Sequence, residues 1–178
     1  MTAPPNQGAI RILGLDPGLR RTGWGVIDCA DNRLRYLASG AVTADPKREM
    51  ADRLKLLHEG VASLVETWSP HAAAVEEIFV SRNPGSTLKL GQARGVVMLA
   101  PARAGIAVYE YAANAVKKSV VGVGHADKAQ VQAMVRMLLP TAGPQSADAA
   151  DALAVAICHA HHAATQAAWR APERAAAP

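Results

Sequence analysis

The feature of the sequence that most restricts its fold is a short apolar run, Ile10 to Asp16, that ends in Asp-Pro-Gly. This run predicts a buried strand, and the Pro-Gly pair after it predicts a turn. Two further runs, Gly23 to Cys29 and Leu34 to Val42, predict a hairpin, because Asp31 and Asn32 between them suit a tight turn. The chain is therefore expected to open with three largely antiparallel strands, the first of which ends in a carboxylate.

Helical periodicity and short apolar runs alternate through the rest of the chain. Together they predict a single α/β domain over residues 10–164, with a five-stranded mixed sheet and helices on both faces. Residues 1–9 and 165–178 are predicted to be disordered. The predicted elements after the hairpin are a helix from Lys47 to Thr67, a strand from Ala72 to Glu76, a helix from Thr87 to Ala104, a strand from Ile106 to Glu110, helices from Ala112 to Lys118 and Ala126 to Leu139, and a last helix from an N-cap at Ser146 to about Ala163.

The charge balance and the cysteines limit the class of protein. The 178 residues carry 19 basic and 15 acidic side chains, for a net charge of +4. If four of the acids bind metal ions, the remaining 11 acids face 19 basic residues, and the rest of the molecule carries a charge of +8. Such a charge suits an enzyme that holds a polyanion. Simple solubility explains it equally well. Cys29 and Cys158 match no metal-ligand spacing and are expected to be reduced, buried thiols of a cytoplasmic protein. The sequence suggests neither a signal peptide nor a membrane span.

Four acidic residues are placed as a metal site for phosphodiester hydrolysis requires. Asp16 and Glu76 each end an apolar strand, and Asp148 and Asp151 lie about 60° apart around the axis of the last helix. Two divalent cations roughly 4 Å apart can activate a water and stabilise the leaving oxygen. Hard cations such as Mg²⁺ prefer several carboxylate oxygens. We therefore expect these four carboxylates to converge on bound metal.

Each acid also has a simpler interpretation. Asp-Pro-Gly is a common turn, and Asp148 suits the first turn of any helix because of the helix dipole. Glu110 ends the fifth strand just as Glu76 ends the fourth. Glu77 points to the opposite face of the strand from Glu76, so only one of the two is expected to bind metal. The assignment therefore depends on the four acids taken together.

Seven blocks of sequence lie in order between about Ile10 and His162. They are Leu-Gly-Leu-Asp-Pro-Gly at 13–18, Thr-Gly-Trp-Gly-Val at 22–26, Val-Glu-Glu-Ile-Phe at 75–79, Leu-Lys-Leu-Gly-Gln-Ala-Arg-Gly at 88–95, Tyr-Glu-Tyr-Ala-Ala at 109–113, Val-Val-Gly-Val-Gly at 120–124 and Ala-Asp-Ala-Ala-Asp-Ala-Leu-Ala at 147–154. Together these blocks resemble the RuvC family of Holliday-junction resolvases. The resemblance implies an RNase H-like fold, and it places the family's catalytic acids on Asp16, Glu76, Asp148 and Asp151. Many relatives have Gln where this chain has Glu77.

The resemblance also implies an activity and partners. It implies a homodimeric endonuclease, dependent on Mg²⁺ or Mn²⁺, that makes paired symmetric nicks in four-way DNA junctions during recombination and repair. It further implies partnership with the RuvA–RuvB branch-migration complex, which no residue here demonstrates. Our hypothesis for the mechanism has two Mg²⁺ per subunit, bridged by Asp16 and completed by the other three acids. In-line attack by an activated water would leave a 5′-phosphate and a 3′-hydroxyl.

Basic and aromatic residues supply candidate DNA contacts. By resemblance, Lys117 and Lys128 are the family's functional lysines, expected to bind phosphate near the metals. Surface solvation explains Lys128 poorly, because a cation at a helix N-terminus opposes the helix dipole. Phe79, the only Phe, is by resemblance expected to stack on a base opened at the crossover, with core filling as the alternative. Three further residues are candidate backbone contacts, for which helix-surface solvation is an equal explanation: Arg82, Lys89 and Arg94.

Other interpretations of the sequence remain open. His159, His161 and His162 resemble a metal-binding cluster, although a frayed polar helix end is favoured. A phosphotransferase of the actin and sugar-kinase type also opens with Asp-x-Gly near a hairpin, but it requires two copies of the fold. A junction-binding module without catalysis has no need of four placed acids, and a general RNase H-like nuclease differs only in its substrate.

Overall fold

The structure, a computed structural model, describes residues 8–77 and 83–170, with side chains as far as residue 163. One mixed sheet of five strands, in the order β3-β2-β1-β4-β5, lies between two layers of helices. The strands are β1 (Ile10–Asp16), β2 (Arg21–Ala30), β3 (Arg33–Thr43), β4 (Ala72–Glu76) and β5 (Ala107–Tyr111). The helices are α1 (Met50–Trp68), α2 (Pro84–Arg103), α3 (Ala113–Val121), α4 (Lys128–Leu138) and α5 (Ala147–Arg170), with a short 3-10 helix at Pro140–Ala142.

The central strand, β1, joins the antiparallel and parallel halves of the sheet. It pairs antiparallel with β2 and parallel with β4, and β4 pairs parallel with β5. Because the carboxyl ends of parallel strands meet at one edge of a sheet, Asp16 at the end of β1 and Glu76 at the end of β4 lie at the same edge.

Alternation along β1 builds two hydrophobic cores. Leu13 and Leu15 are fully buried on the face covered by α1 and α2. Ile12 is fully buried on the opposite face, which α3, α4 and α5 cover. This arrangement confirms the predicted five-stranded mixed sheet with helices on both faces.

Two glycines let α5 pack directly on the sheet. A Cβ at Gly23 would lie 2.1 Å from the carbonyl oxygen of Asp148, and a Cβ at Gly14 would lie 2.1 Å from that of Ala152. Since no side chain fits at such distances, glycine is required at both positions. In the sheet register Gly23 pairs with Asp16, so the close packing brings the first turn of α5 to the end of β1.

The last helix is longer than the sequence pattern predicts. It ends at Arg170 rather than near Ala163, because this stretch is rich in alanine, the strongest helix former. Residues 165–170, predicted to be disordered, are therefore helical, and Ala9 is buried rather than disordered. Residues 1–7 and 171–178 lie outside the described residues, so their disorder stays a prediction. Ser146 caps α5 as predicted, since its hydroxyl accepts a hydrogen bond from the Ala149 amide at 3.3 Å.

The two cysteines are free thiols in different surroundings. Cys158 is buried as predicted, whereas Cys29 near the end of β2 is only half-buried. None of the described helices combines the length and apolar character that a membrane span needs.

Candidate active site

The four acids predicted from the sequence meet at one edge of the sheet. Asp16 and Glu76 end neighbouring parallel strands, and Asp148 and Asp151 lie in the first turns of α5, which packs against them. The apolar residues of α5 next to the two aspartates are buried against the sheet. Both aspartates are themselves half-buried. The structure therefore places all four predicted acids in one region.

Electrostatic interactions show that the four carboxylates affect one another. Burial and the carboxylates of Glu76, Asp151 and Asp148 raise the pKa of Asp16 from its usual 3.8 to about 7, although Lys128 opposes the shift. Burial and Asp151 also raise the pKa of Glu76, while Lys117 and Lys128 lower it. Negative charge at this edge is therefore only partly neutralised by the protein's own cations.

Two of the acids have cationic partners. Lys128 Nζ lies 2.7 Å from an Asp151 carboxylate oxygen, and Arg21 lies 3.6 Å from Asp148. The hydrogen bond to Asp151 raises the pKa of Lys128. Within the described ranges, no three His, Cys, Asp or Glu side chains are arranged closely enough to hold a metal ion as they stand. Lys128 and Arg21 therefore neutralise part of the negative charge of Asp151 and Asp148 in this structure.

A cleft of about 250 Å³ opens beside the acids between α3, α4 and α5. We call it the lysine cleft, because Lys117 and Lys128 line it together with Glu76 and Asp151. Lys128 is the first residue of α4, whose N-cap Asp127 forms a capping box with Gln130. The cap fixes the start of α4 and so directs Lys128 toward the acids.

The neighbouring acids Glu77 and Glu110 stand apart from this group. Glu77 is exposed just after β4, and its amide donates a hydrogen bond to the Tyr111 carbonyl. Glu110 forms an ion pair with Arg94, whose Nε also lies 3.4 Å from the Glu76 carbonyl oxygen. Arg94, predicted to contact DNA, thus has partners within the protein, and only 18% of its side chain is exposed.

The histidines of α5 form packing contacts, so the predicted frayed helix end is wrong. His159 is buried, its Nδ1 lies 2.8 Å from the Tyr111 hydroxyl, and its ring packs against Tyr109. His162 packs against the ring of Tyr111, and His161 Nδ1 lies 3.1 Å from the Ser119 hydroxyl. These contacts tie α5 to β5 and α3, and they depend on the fold rather than on local sequence.

The remaining predicted DNA contacts divide into two groups. Lys89 is exposed near the start of α2. Phe79 and Arg82 lie outside the described residues, so their roles stay predictions. Sequence reasoning missed Arg21, which lies 3.6 Å from Asp148. The available signal was the pair Arg20-Arg21, which begins two residues beyond Asp-Pro-Gly.

Comparisons with known proteins agree on the family. The family profile "Crossover junction endodeoxyribonuclease RuvC" matches residues 12–159. The protein of that name from Rhodopseudomonas palustris (strain BisA53) is 59% identical over 91% of this chain and 93% of its own length. That from Paramagnetospirillum magneticum is 61% identical, over 88% of this chain and 95% of its own.

Solved structures show the same relationship. The structure of T. thermophilus RuvC in complex with Holliday junction substrate has a TM-score of 0.82 and 34% identity, covering 88% of this chain and 96% of that chain. The yeast mitochondrial Holliday junction resolvase Ydc2 has a TM-score of 0.68 at 15% identity, covering 94% of this chain and 84% of that chain, and so shares the fold.

The sheet topology and these structural matches define a protein of the RNase H-like fold, with clustered carboxylates at the end of its central strand. Within that class, the chain belongs to the RuvC family of crossover junction endodeoxyribonucleases.

Proposed function

We propose that this protein is a metal-dependent endonuclease that resolves four-way (Holliday) DNA junctions in recombination and repair. The observation that carries the proposal is the convergence of Asp16, Glu76, Asp148 and Asp151 at one sheet edge, in a member of the RuvC family. Relatives bear the name of this activity, and T. thermophilus RuvC has been solved in complex with Holliday junction substrate.

The chemistry of the donor set fits hard divalent cations. All four side chains offer carboxylate oxygens, the ligands that Mg²⁺ and Mn²⁺ prefer. The raised pKa of Asp16 favours a bound cation, because positive charge between the acids would relieve the repulsion among them. Two Mg²⁺ or Mn²⁺ per subunit, when bound, would activate a water and stabilise the leaving oxygen, so that hydrolysis leaves a 5′-phosphate and a 3′-hydroxyl.

The chain's own residues would position the substrate and hold the charge. Asp16 lies at the end of the central strand beside the other three acids and would help to hold the cations. Lys117 and Lys128 line the cleft beside Glu76 and can bind the phosphate there. Lys128 lies 2.7 Å from Asp151 and so would stand beside both the metal-binding acids and a bound phosphate.

A homodimer is supported by the outer face of α2. Leu88 and Leu99 on that face are 67% and 47% exposed, and Gly91 and Gly95 have open space where a Cβ would lie. Residues 88, 95 and 99 share one side of the helix, so a second copy could pack closely there. Two subunits related by a two-fold axis would explain paired symmetric nicks.

Two finer aspects rest on the family relationship. Cooperation with the RuvA–RuvB branch-migration complex is a proposal for which no residue described here is specific. Action in the cytoplasm is likewise proposed, and the free thiols of Cys29 and Cys158 suit a reducing compartment.

The test is cleavage of a labelled synthetic four-way junction with Mg²⁺, Mn²⁺ or EDTA. A linear duplex and an RNA–DNA hybrid serve as substrate controls. Paired nicks in the junction alone, lost in EDTA, are the expected result. Equal cutting of the hybrid would indicate a general RNase H-like nuclease, and junction binding without cutting under either metal would contradict the enzyme assignment.

Analytical ultracentrifugation at micromolar concentration tests the dimer, and the Leu88→Lys/Leu99→Lys variant is expected to be monomeric.

A further inference from the structure

A second cleft opens on the other side of the first turn of α5. It has a volume of about 550 Å³ and lies between the β1–β2 turn, α1 and the start of α2. Asp148 lines this cleft, whereas Asp151 lines the lysine cleft. The acidic residues therefore stand between two clefts. We call the second one the basic groove, after the four cations that line it: Arg20, Arg21, Arg53 and Lys89.

The positive charge of the basic groove is largely uncompensated. Asp148 is the one acidic residue among the described residues that line it, and Arg21 lies 3.6 Å from that carboxylate. Across residues 8–77 and 83–163, Arg20, Arg53 and Lys89 have no carboxylate within 4.0 Å. Cations that lack carboxylate partners and lie in one groove repel one another, and a bound polyanion would relieve that repulsion.

The fold fixes part of this charge in place. Arg53 Nη2 donates a hydrogen bond to the Leu19 carbonyl at 3.0 Å and so braces the turn that carries Arg20 and Arg21. The turn itself is tight, because a Cβ at Gly18 would lie 2.2 Å from the Arg21 carbonyl oxygen. Arg20 and Arg21 are therefore presented by a rigid turn rather than by a loose loop.

We propose that the basic groove binds the sugar–phosphate backbone of a DNA strand on the Asp148 side of the cut. The proposal rests on the proposed function, since it assigns one more segment of the same substrate. The cations come from three separate elements and line an open groove instead of converging on one point, which suits a repeating anion better than a single phosphate. With the lysine cleft on the opposite side, a strand that crosses the acids would meet cations on both sides of the scissile phosphate.

The test compares two double variants that remove the same amount of charge. Arg20→Gln/Lys89→Gln removes two cations of the groove. Lys55→Gln/Arg103→Gln, the control, removes an exposed cation of α1 and one from the far end of α2. Binding to a four-way junction and to a linear duplex is measured in EDTA at several NaCl concentrations. We expect the groove variant to bind both DNAs about tenfold more weakly and to lower the salt slope by about two, roughly one per lost phosphate contact. The control should change neither quantity comparably.

The remaining outcomes separate the groove from the activity. If the groove variant matches the control in affinity and slope, the groove does not bind DNA, even if the wild type cuts junctions. If the groove variant binds more weakly and the wild type never cuts, the groove binds DNA but the protein is not a nuclease. If the wild type binds neither DNA, both proposals are wrong. The charge-conserving Arg20→Lys/Lys89→Arg variant should bind like the wild type; if the double Gln variant unfolds, the single variants, each expected to lower the slope by about one, decide the matter.

Discussion

The two ends of strand β1 carry charged clusters that shift the pKa of an aspartate in opposite directions. Near its start, the Asp28 carboxylate accepts hydrogen bonds from Arg11 Nε at 2.8 Å and Arg35 Nη2 at 2.7 Å, and only 3% of the Asp28 side chain is exposed. Burial favours the neutral acid, but the two guanidinium groups outweigh burial and hold the pKa of Asp28 below its usual value. At the other end, burial and three carboxylates raise the pKa of Asp16 to about 7.

The difference lies in how completely each charge is neutralised within the chain. Arg11 also donates a hydrogen bond to the Trp68 carbonyl at 2.9 Å. The partners of the Asp28 cluster therefore all lie within the chain, and they connect β1 to β2 and to the end of α1. The four acids around Asp16 outnumber the cations near them, so part of their negative charge is not neutralised by the protein. A buried carboxylate whose partners all lie within the chain thus marks a structural contact, and a group of acids that outnumbers its cations suits a ligand of opposite charge.

The largest predicted effect follows from removing the charge of Asp16. We expect Asp16→Asn to lower the rate of junction cleavage by about a thousandfold or more, because several kcal/mol of charge stabilisation by metal would be lost. Junction binding should persist. Single-turnover cleavage of a labelled junction measures the rate, with the exposed Asp52→Asn on α1 as the matched control. Cutting by Asp16→Asn at the wild-type rate would remove Asp16 from the site.

The same substitution at the other end of β1 should affect stability instead. Asp28→Asn leaves Arg11 buried without its full partner, so we expect the free energy of unfolding to fall by about 3 kcal/mol. Cleavage below the melting temperature should be unchanged. Urea unfolding measures the loss, and Asp52→Asn should stay within about 0.5 kcal/mol of the wild type. An equally small change in Asp28→Asn would show that this ion pair contributes little.

The pH dependence of stability should also differ between the two ends. Asp16 has a folded-state pKa raised to about 7, so its contribution is complete below about pH 4 and is lost as pH rises through 7. Asp28 has a lowered pKa, so its contribution is present above about pH 4 and is lost as pH falls below it.

In EDTA, we therefore expect Asp16→Asn to be more stable than the wild type at pH 8 by on the order of 1–3 kcal/mol, a gain that shrinks toward pH 5. Thermal unfolding at both pH values measures it. A gain that is the same at pH 5 and pH 8 would argue against an ionisable Asp16 with a raised pKa.

The smallest effect is expected at Glu110, an acid at a strand end whose charge is paired. Glu110→Gln removes its ion pair with Arg94, which is partly exposed, so the loss of stability should be about 0.5–1 kcal/mol. Cleavage should fall no more than a few-fold. A double-mutant cycle with Arg94→Gln measures the coupling. A loss of cleavage comparable to that of Asp16→Asn would place Glu110 within the site.

Local patterns sufficed to predict the strand ends that carry Asp16 and Glu76. The three-residue spacing of Asp148 and Asp151 sufficed to predict that they lie close together on the last helix. Contacts that depend on sheet register or helix placement were not predictable in this way. The ion pair of Arg94 with Glu110 and the contact of His159 with Tyr111 join residues 16 and 48 positions apart, and no short window of sequence contains both members. The length of α5 was underestimated because its polar residues obscured a strong alanine propensity.

A calorimetric titration with Mn²⁺ tests whether the acids at the end of β1 bind metal. Wild type, Asp16→Asn and Asp52→Asn would be titrated near pH 7 in two buffers that differ in ionisation enthalpy. We expect about two Mn²⁺ per wild-type subunit. Protons should be released on binding, because the cations displace the proton that Asp16 partly retains near pH 7. Asp16→Asn should lose at least one ion and most of the proton release, and Asp52→Asn should match the wild type. Equal Mn²⁺ binding by wild type and Asp16→Asn would show that Asp16 does not hold the metal.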